Sequence, residues 1–296
     1  MDKNRIEILH LIEGAKAAKG LTVIIDVFRA FSMECFLYDL GAEAIRPVGT
    51  IEEAFEWRER DQSCILCGER WGKMCEGFDL GNSPSAAKAM AEKIAGKAVI
   101  HTTSAGTQGI VNASGVGMRC PQNISGVDEI ITGSLVNAAA IARYIKARNP
   151  QHVSLVAMGN GGVKPAPEDE LCAEYIRSLL VDDPGDASGR FVGLDPVVDV
   201  NDDAGLAENA AVEMAVDCGM RAGDIQIPGF PGDAMPDIDD RIAALRYHGG
   251  EHFFNPDTQD VFPEPDFHLC AQRDIFDFVI RVERDEQGFY TRKIEC

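Results

Sequence analysis

The sequence predicts an α/β protein: a three-layer α/β/α arrangement around a mostly parallel or mixed sheet. Three observations predict it. Short apolar, β-rich runs alternate with helical patterns from residue 20 to residue 180, as βαβ units require. The composition is that of a globular chain, with 45% hydrophobic and 26% charged residues among 296, which excludes disorder, collagen and coiled coil. Beyond residue 180 the alternation loosens into acidic loops, so the second half reads as an elaboration of one fold. The simplest organisation is a single unit over residues 1–296. Two lobes, about 1–130 and 131–296, are the alternative.

Each element follows from a local signal. Residues 21–27 (LTVIIDV) form a continuous β-branched run that ends in an acid, a buried strand. A helix is expected over 31–40, stopped by Gly41. Residues 44–48 are a short strand. Thr50 caps a helix over 51–60, and its spacing from Glu53 fits a capping box. Residues 63–67 are the next strand, followed by the loop CGERWGKMCEGFDLGN. Ser83 and Pro84 then read as N-cap and first residue of a helix reaching about residue 95. Strands are expected at 97–102, 129–132 and 152–158. Helical segments are expected within 103–113, over 134–148 and, after the glycine-rich turn at 159–162, over 168–180. Helices near 205–218 and 238–247 are separated by acidic loops. The tail runs 276–282 and 288–294 suggest an antiparallel pair at a sheet edge.

Charge narrows the function classes. The formal net charge is −20. Residues 1–150 hold 17 basic and 18 acidic side chains, against 11 and 30 in residues 151–296. Such a field repels phosphate backbones and anionic lipid, so neither nucleic acid nor a membrane surface is expected as a partner. No apolar stretch approaches the roughly 18–20 residues of a membrane span. The first 13 residues mix acids and bases and do not resemble a signal peptide. Nine cysteines without framework spacing suggest free thiols in a reducing cytoplasm. A small anionic ligand remains compatible with the near-neutral first half.

Polar and glycine residues recur just after strand ends. Asp26 and Arg29 follow the first strand, Glu69 and Arg70 the strand at 63–67. Thr102, Thr103, Ser104, Gly106 and Thr107 follow the run at 97–100. In open parallel sheets such positions share one edge, where ligands bind. The residue types suit a phosphate ester. Arginine offers a bidentate fork. The segment HTTSAGT leads N–H groups and hydroxyls into a helix start. Asp26, Glu69 and Asp79 could hold Mg²⁺, a hard ion that takes oxygen ligands and keeps several waters. Each residue also has a bland reading. Asp26 fits a helix cap, Arg29 and Arg70 fit ion pairs, and HTTSAGT fits a simple turn and cap.

Other motifs are discounted. Asp26-Val27-Phe28 lacks a second acid two residues on. The turn at 159–162 lacks the Lys-Ser/Thr of a nucleotide P-loop. Cys64 and Cys67 lie in a strand, where a redox pair is unexpected. His248-Gly249-Gly250-Glu251-His252 matches a zinc motif in letters only, because adjacent glycines oppose the helix it needs.

The same residues carry a family likeness. Asp26-Val27-Phe28-Arg29-Ala30, Gly68-Glu69-Arg70 with Gly72, the block GFDLGNSP at 77–84, and Thr102-Thr103-Ser104-Ala105-Gly106-Thr107 resemble the 2-phosphosulfolactate phosphatase family (ComB-like). Gly133-Ser134 with Asn137, and Glu168-Asp169 after a glycine-rich turn, fit as well. The likeness spans about residues 20–180. It departs at Ala105, where the family usually has Asn, and at Phe31, where it has a small Ser or Thr. The resemblance implies a Mg²⁺-dependent phosphoric monoester hydrolase acting on phosphate esters of 2-hydroxy acids, with a precursor in coenzyme M biosynthesis as its namesake substrate. On that reading Asp26 is a metal ligand or nucleophile, and Glu69 and Asp79 are further metal or general-base candidates. Arg29 and Arg70 bind the substrate's anionic groups. Thr103, Ser104, Gly106 and Thr107 cradle phosphate, and Asn82, Ser83 and Asn137 line the substrate site. A cytoplasmic homodimer is expected. A non-catalytic binding or sensor protein for a small anionic metabolite is the alternative.

Overall fold

The protein is described from a computed structural model that covers residues 1–115, 126–181 and 237–296. The expected acidic loop at 182–203, the helix near 205–218 and most of the loop at 230–240 lie outside the described residues. Residues 1–115, 126–181 and 238–296 belong to one compact unit.

The elements in chain order are β1 (Ile6–His10), α1 (Leu11–Ala17), β2 (Gly20–Ile25), α2 (Ala30–Asp39), β3 (Ala44–Pro47), α3 (Ile51–Arg60), β4 (Ile65–Arg70), β5 (Lys73–Met74), α4 (Pro84–Ala89), α5 (Ala91–Ile94) and β6 (Ala98–Thr102). There follow α6 (Gly106–Ala113), β7 (Val127–Gly133), α7 (Ala138–Arg148), β8 (Val153–Ala157), α8 (Pro167–Leu180), α9 (Ile238–Ala244), α10 (Glu264–Cys270), β9 (Phe278–Asp285) and β10 (Gly288–Glu295). Local chemistry sets several boundaries. Thr50 Oγ1 accepts from the Glu53 N–H while Glu53 accepts from the Thr50 N–H, so the expected capping box starts α3. Ser83 caps α4, with Pro84 at its first position. Gly41 ends α2 with a φ of 85°, a conformation that disfavours any side chain.

The sheet order is β1-β8-β2-β7-β9-β10-β3-β6-β4-β5. Strands β1, β8, β2 and β7 run parallel to one another, and so do β3, β6 and β4. Between them lies the antiparallel hairpin β9–β10, pairing Val282 with Ile130 on one side and Thr291 with Ile45 on the other. Each of these three junctions is antiparallel, so the two parallel blocks run in opposite directions. The tail hairpin is therefore central rather than at an edge. Its partners lie about 150–250 residues away in sequence, beyond the reach of local pattern. Tyr38 on α2 locks it there, its hydroxyl donating to Thr291 O at 2.6 Å.

Opposed blocks cannot share one carboxyl edge. What unites their loops is a crossing of helices. Helix α2 follows β2, yet Met33, Phe36 and Leu37 pack with Ile45, Ile65 and Val99 of the other block. Helix α6 follows β6, yet Ile110 and Ala113 pack with Ile24 and Val156 of the first block. The turns after β2 and β6 thus cross the middle of the molecule side by side. Among the described residues, no helix is long and apolar enough to cross a membrane.

Candidate active site

A cavity of about 460 Å³ opens where these turns meet. Its wall holds Asp26, Arg29, Glu69, Asn82 and Ser104 from the expected set, together with Trp71, Asn160, Glu168, Glu251, His252 and Phe262.

Asp26 sits at the centre of the crossing. Its Oδ1 accepts from the Ala30 N–H at 3.2 Å, so it caps α2. Its other oxygen lies against the start of α6: a side chain at Gly106 would meet Asp26 Oδ2 at 3.0 Å. Only glycine lets the α6 backbone come this close. Burial raises the Asp26 carboxyl to about 6, the Glu69 charge adds to the rise, and the amides of Ala30 and Gly106 oppose it. Both readings of Asp26 therefore meet in one residue, a cap that also faces a cavity.

Glu69 is held more firmly. Its oxygens accept from the Gly72 N–H at 2.7 Å, the Ser104 N–H at 2.7 Å and the Ser104 hydroxyl at 3.2 Å. It ties the β4–β5 turn to the β6–α6 loop. Arg29 is almost buried. It donates to Asp266 Oδ2 at 2.8 Å and to Gly72 O at 3.1 Å, with its guanidinium 5.0 Å from the centre of the Phe262 ring. Asp266, on α10, also accepts from the Ser83 hydroxyl and from the Ser85 N–H and hydroxyl. The charge balance of this corner is thus internal: one guanidinium, one carboxylate.

Glu168 is the feature the sequence reading left out of the site. Pro167 and three acids open α8, an ordinary helix start. The fold nevertheless buries Glu168 to 4% exposure and leaves its Oε2 without a hydrogen-bond partner. Burial, then the charges of Asp26 and Glu251, lift this carboxyl to about 8. Its neighbour Asp169 accepts from the Val27 and Gly159 N–H groups, each at 2.8 Å, and so joins the loops after β2 and β8. Burial and the charges of Asp26 and Glu168 push Asp169 well above the usual carboxyl range. The zinc-like letters at 248–252 form no helix. Gly249 has a φ of 105° and residues 251–253 make a single 3₁₀ turn, which sends Glu251 and His252 to the cavity. Burial and Arg29 lower the His252 pKa, which favours the neutral ring.

A family profile described as 2-phosphosulpholactate phosphatase matches residues 6–216. The chain belongs to this family. It is 34% identical over 166 residues to the "Probable 2-phosphosulfolactate phosphatase" of Thermotoga petrophila, covering 56% of this chain and 65% of that one. The protein of the same name from Caldicellulosiruptor saccharolyticus is 38% identical over 164 residues, covering 54% and 62%. One from Synechococcus sp. is 34% identical over 164 residues, covering 54% and 61%. The chain thus matches somewhat under two thirds of the length of these curated relatives. In this family member the cavity wall is not confined to the matched segment. Glu251, His252, Phe262 and the Arg29 partner Asp266 all lie beyond residue 216.

The remaining expected residues stand behind the wall. Arg70 points to Glu69 O at 2.7 Å and Thr102 Oγ1 at 2.9 Å. Asp79 pairs with Arg58 and accepts from the Leu66 N–H, so it serves the β4 turn and not a metal in the cavity. Thr103 and Thr107 satisfy each other: the Thr107 N–H donates to Thr103 Oγ1 at 3.1 Å and the Thr103 N–H to Thr107 Oγ1 at 3.2 Å. Ser83 is spent on capping and on Asp266. Asn137 accepts from the Ser134 N–H at 3.1 Å in a buried turn. These six residues, with Gly106, shape the site rather than face it. The cavity itself is acidic. Asp26, Glu69, Glu168 and Glu251 face it with Arg29 as the one arginine or lysine among the described lining residues.

Proposed function

We propose that the protein is a Mg²⁺-dependent phosphatase that hydrolyses phosphate esters of small 2-hydroxy acids, 2-phosphosulfolactate among them, releasing the hydroxy acid and phosphate. The observation that carries this reading is the buried, unpartnered Glu168 oxygen in the same cavity wall as Asp26. A buried carboxyl whose pKa burial and the Asp26 charge raise, with one oxygen that has no donor, describes a place for a cation. Among the described residues no three acidic, histidine or cysteine side chains gather closely enough to hold a metal alone. Mg²⁺ needs fewer, because it is commonly held by one or two carboxylates, water and substrate phosphate. Asp26 and Glu168 fit that demand.

When bound, the ion would neutralise the phosphoryl oxygens and the charge that develops on them. The chain supplies the rest. A phosphate dianion is repelled by the ionised carboxylates of this wall, so the site favours it only once that charge is balanced. Arg29, fixed by Asp266 and flanked by Phe262, presents a guanidinium that cannot swing away. Ser104 lies in the wall just before α6, its hydroxyl donating to Glu69 and accepting from the Trp71 N–H. Glu69 holds the two loops at the spacing this requires. Phe28, Phe262 and Trp71 line the remainder of the wall and limit water around the bound ester.

The test is turnover across a panel of 2-hydroxy acid phosphates. Activity is expected with Mg²⁺, lost in EDTA and restored by Mg²⁺. Tight binding of an ester without turnover would favour the sensor reading, and full activity in metal-free protein would remove the proposed role of Asp26 and Glu168.

A further inference from the structure

Beneath the cavity floor lies a polar group that none of the roles above uses. His101, the last inward residue of β6 before the Thr-rich loop, is fully buried, as is Glu34 on α2. The ring Nδ1 lies 2.9 Å from Glu34 Oε1 and Nε2 lies 2.8 Å from Asn82 Oδ1. Glu34 Oε2 has no hydrogen-bond partner, so the imidazole is the main anchor of that carboxyl group. The Cys67 thiol approaches the same Asn82 oxygen at 3.9 Å. Two groups therefore draw the Asn82 carbonyl inward.

An amide has two ends. With Oδ1 held inward, the Asn82 NH₂ is turned the other way. No acceptor for it is found among the described residues, and Asn82 is part of the cavity wall. A free pair of N–H donors at the floor of a pocket suits the oxygens of a phosphoryl group. Asn82 lies in the loop just before α4, where nothing in its own backbone would fix the amide rotation. The fix comes from the helix that crosses from β2 and the strand that precedes the Thr-rich loop.

We propose that His101 and Glu34 are positioning residues for Asn82, holding its amide so that the N–H groups face the bound phosphoryl oxygens. This rests on the phosphatase reading for its substrate, but its geometry stands apart from the metal. The strand that carries His101 belongs to one block, Asn82 lies in the loop that follows β5 of that block, and the helix that carries Glu34 comes from the other, so the triad also registers the crossing on which the cavity depends.

A double-mutant cycle tests it. Asn82→Ala should lower kcat on the order of 10²-fold, with KM within about threefold, because a donor used mainly in the transition state is lost. The paired change Glu34→Gln with His101→Leu removes both supports and strands no buried charge. It should lower kcat at least about tenfold, with KM within about threefold. Added to Asn82→Ala, it should cost nothing further, since the amide it positions is gone. A merely structural pair would give losses that add, or a lower melting temperature with normal kcat, and either result overturns the proposal. Should the paired variant fail to fold, the isosteric Glu34→Gln carries the same cycle with the same criterion. Calorimetric binding of vanadate, a five-coordinate mimic of the transferring phosphoryl group, in Mg²⁺ buffer separates the two readings. A parent that turns over no ester refutes the phosphatase assignment. Weaker vanadate binding in Asn82→Ala and in the paired variant, without additivity, would still support the positioning role, and unchanged binding in both would end it.

Discussion

Replacing Glu168 by glutamine exposes the acidic wall to a direct measurement. The carboxyl moves from an ordinary value of 4.5 to about 8 on folding, through burial first and then the charges of Asp26 and Glu251. A carboxyl whose pKa is raised by folding binds its proton more tightly in the folded state. Its contribution to stability is therefore complete below the unfolded value and is lost as pH rises through the folded one. At about 1.36 kcal/mol per pH unit, a rise from 4.5 to about 8 sets an upper figure of roughly 5 kcal/mol above pH 8. Glutamine keeps the shape and never ionises. In EDTA, Glu168→Gln should melt close to the parent at pH 5 and above it at pH 8.5, by at most roughly 10–20 °C, taking about 2–4 °C per kcal/mol for a chain of this class. Mg²⁺ should raise the parent's melting temperature at pH 8.5 by binding the folded state, and should do much less for Glu168→Gln. Parallel pH profiles for the two proteins, or equal Mg²⁺ shifts, would refute the reasoning.

Asp26→Asn keeps shape and removes charge, so kcat should fall by 10²-fold or more, about 2.7 kcal/mol, in steady-state assays of folded protein. Arg29→Lys loses the fork that reaches both Asp266 and Gly72 O; KM for the ester should rise at least about fivefold, and an unchanged KM would show that the guanidinium does not hold the substrate. With Mg²⁺ present, esters bearing a carboxylate beside the phosphate should show kcat/KM at least about tenfold above neutral-tailed esters, roughly 1.4 kcal/mol, and equal rates on p-nitrophenyl phosphate and phospholactate would defeat that preference.

Much of the fold is legible because its signals are local. The Thr50–Glu53 box, the Ser83–Pro84 start and the apolar run of β2 each declare themselves within a few residues. The position of β9–β10 is different. Alternation marks 276–282 and 288–294 as strands, but only tertiary contacts decide that Ile130 and Ile45 flank them. The N-terminal pair β1 and α1 escaped notice because its polar residues break the apolar run. The site divides in the same way. Asp26, Arg29, Glu69 and Ser104 follow strands and reach the cavity. Thr103 and Thr107 follow a strand too, but their side chains close on nearby backbone, as short hydroxyl side chains readily do. Glu168 shares in the family likeness with Asp169, but an acid in a first helical turn gives no local sign of facing a cavity. Its burial comes from Gly249 and its neighbours, more than 80 residues on, and no local pattern reports that: a side chain at Gly249 would meet Glu168 Oε2 at 2.8 Å.

The crossed connections also account for how the C-terminal third enters the site. Because α2 leaves β2 for the other block, Arg29 at its head is carried to the boundary between blocks, far from any partner within its own. A guanidinium left unpaired at 5% exposure would cost several kcal/mol. Asp266 meets it there, and the same carboxylate takes up the Ser83 and Ser85 donors at the head of α4. Two sequence blocks that carry the family likeness, Asp26–Ala30 and GFDLGNSP, are thus joined through a residue outside the matched segment. Glu251, His252 and Phe262 arrive with it, since they precede Asp266 in the same stretch of chain. Residues beyond the matched segment therefore fix Arg29 and build one wall of the cavity.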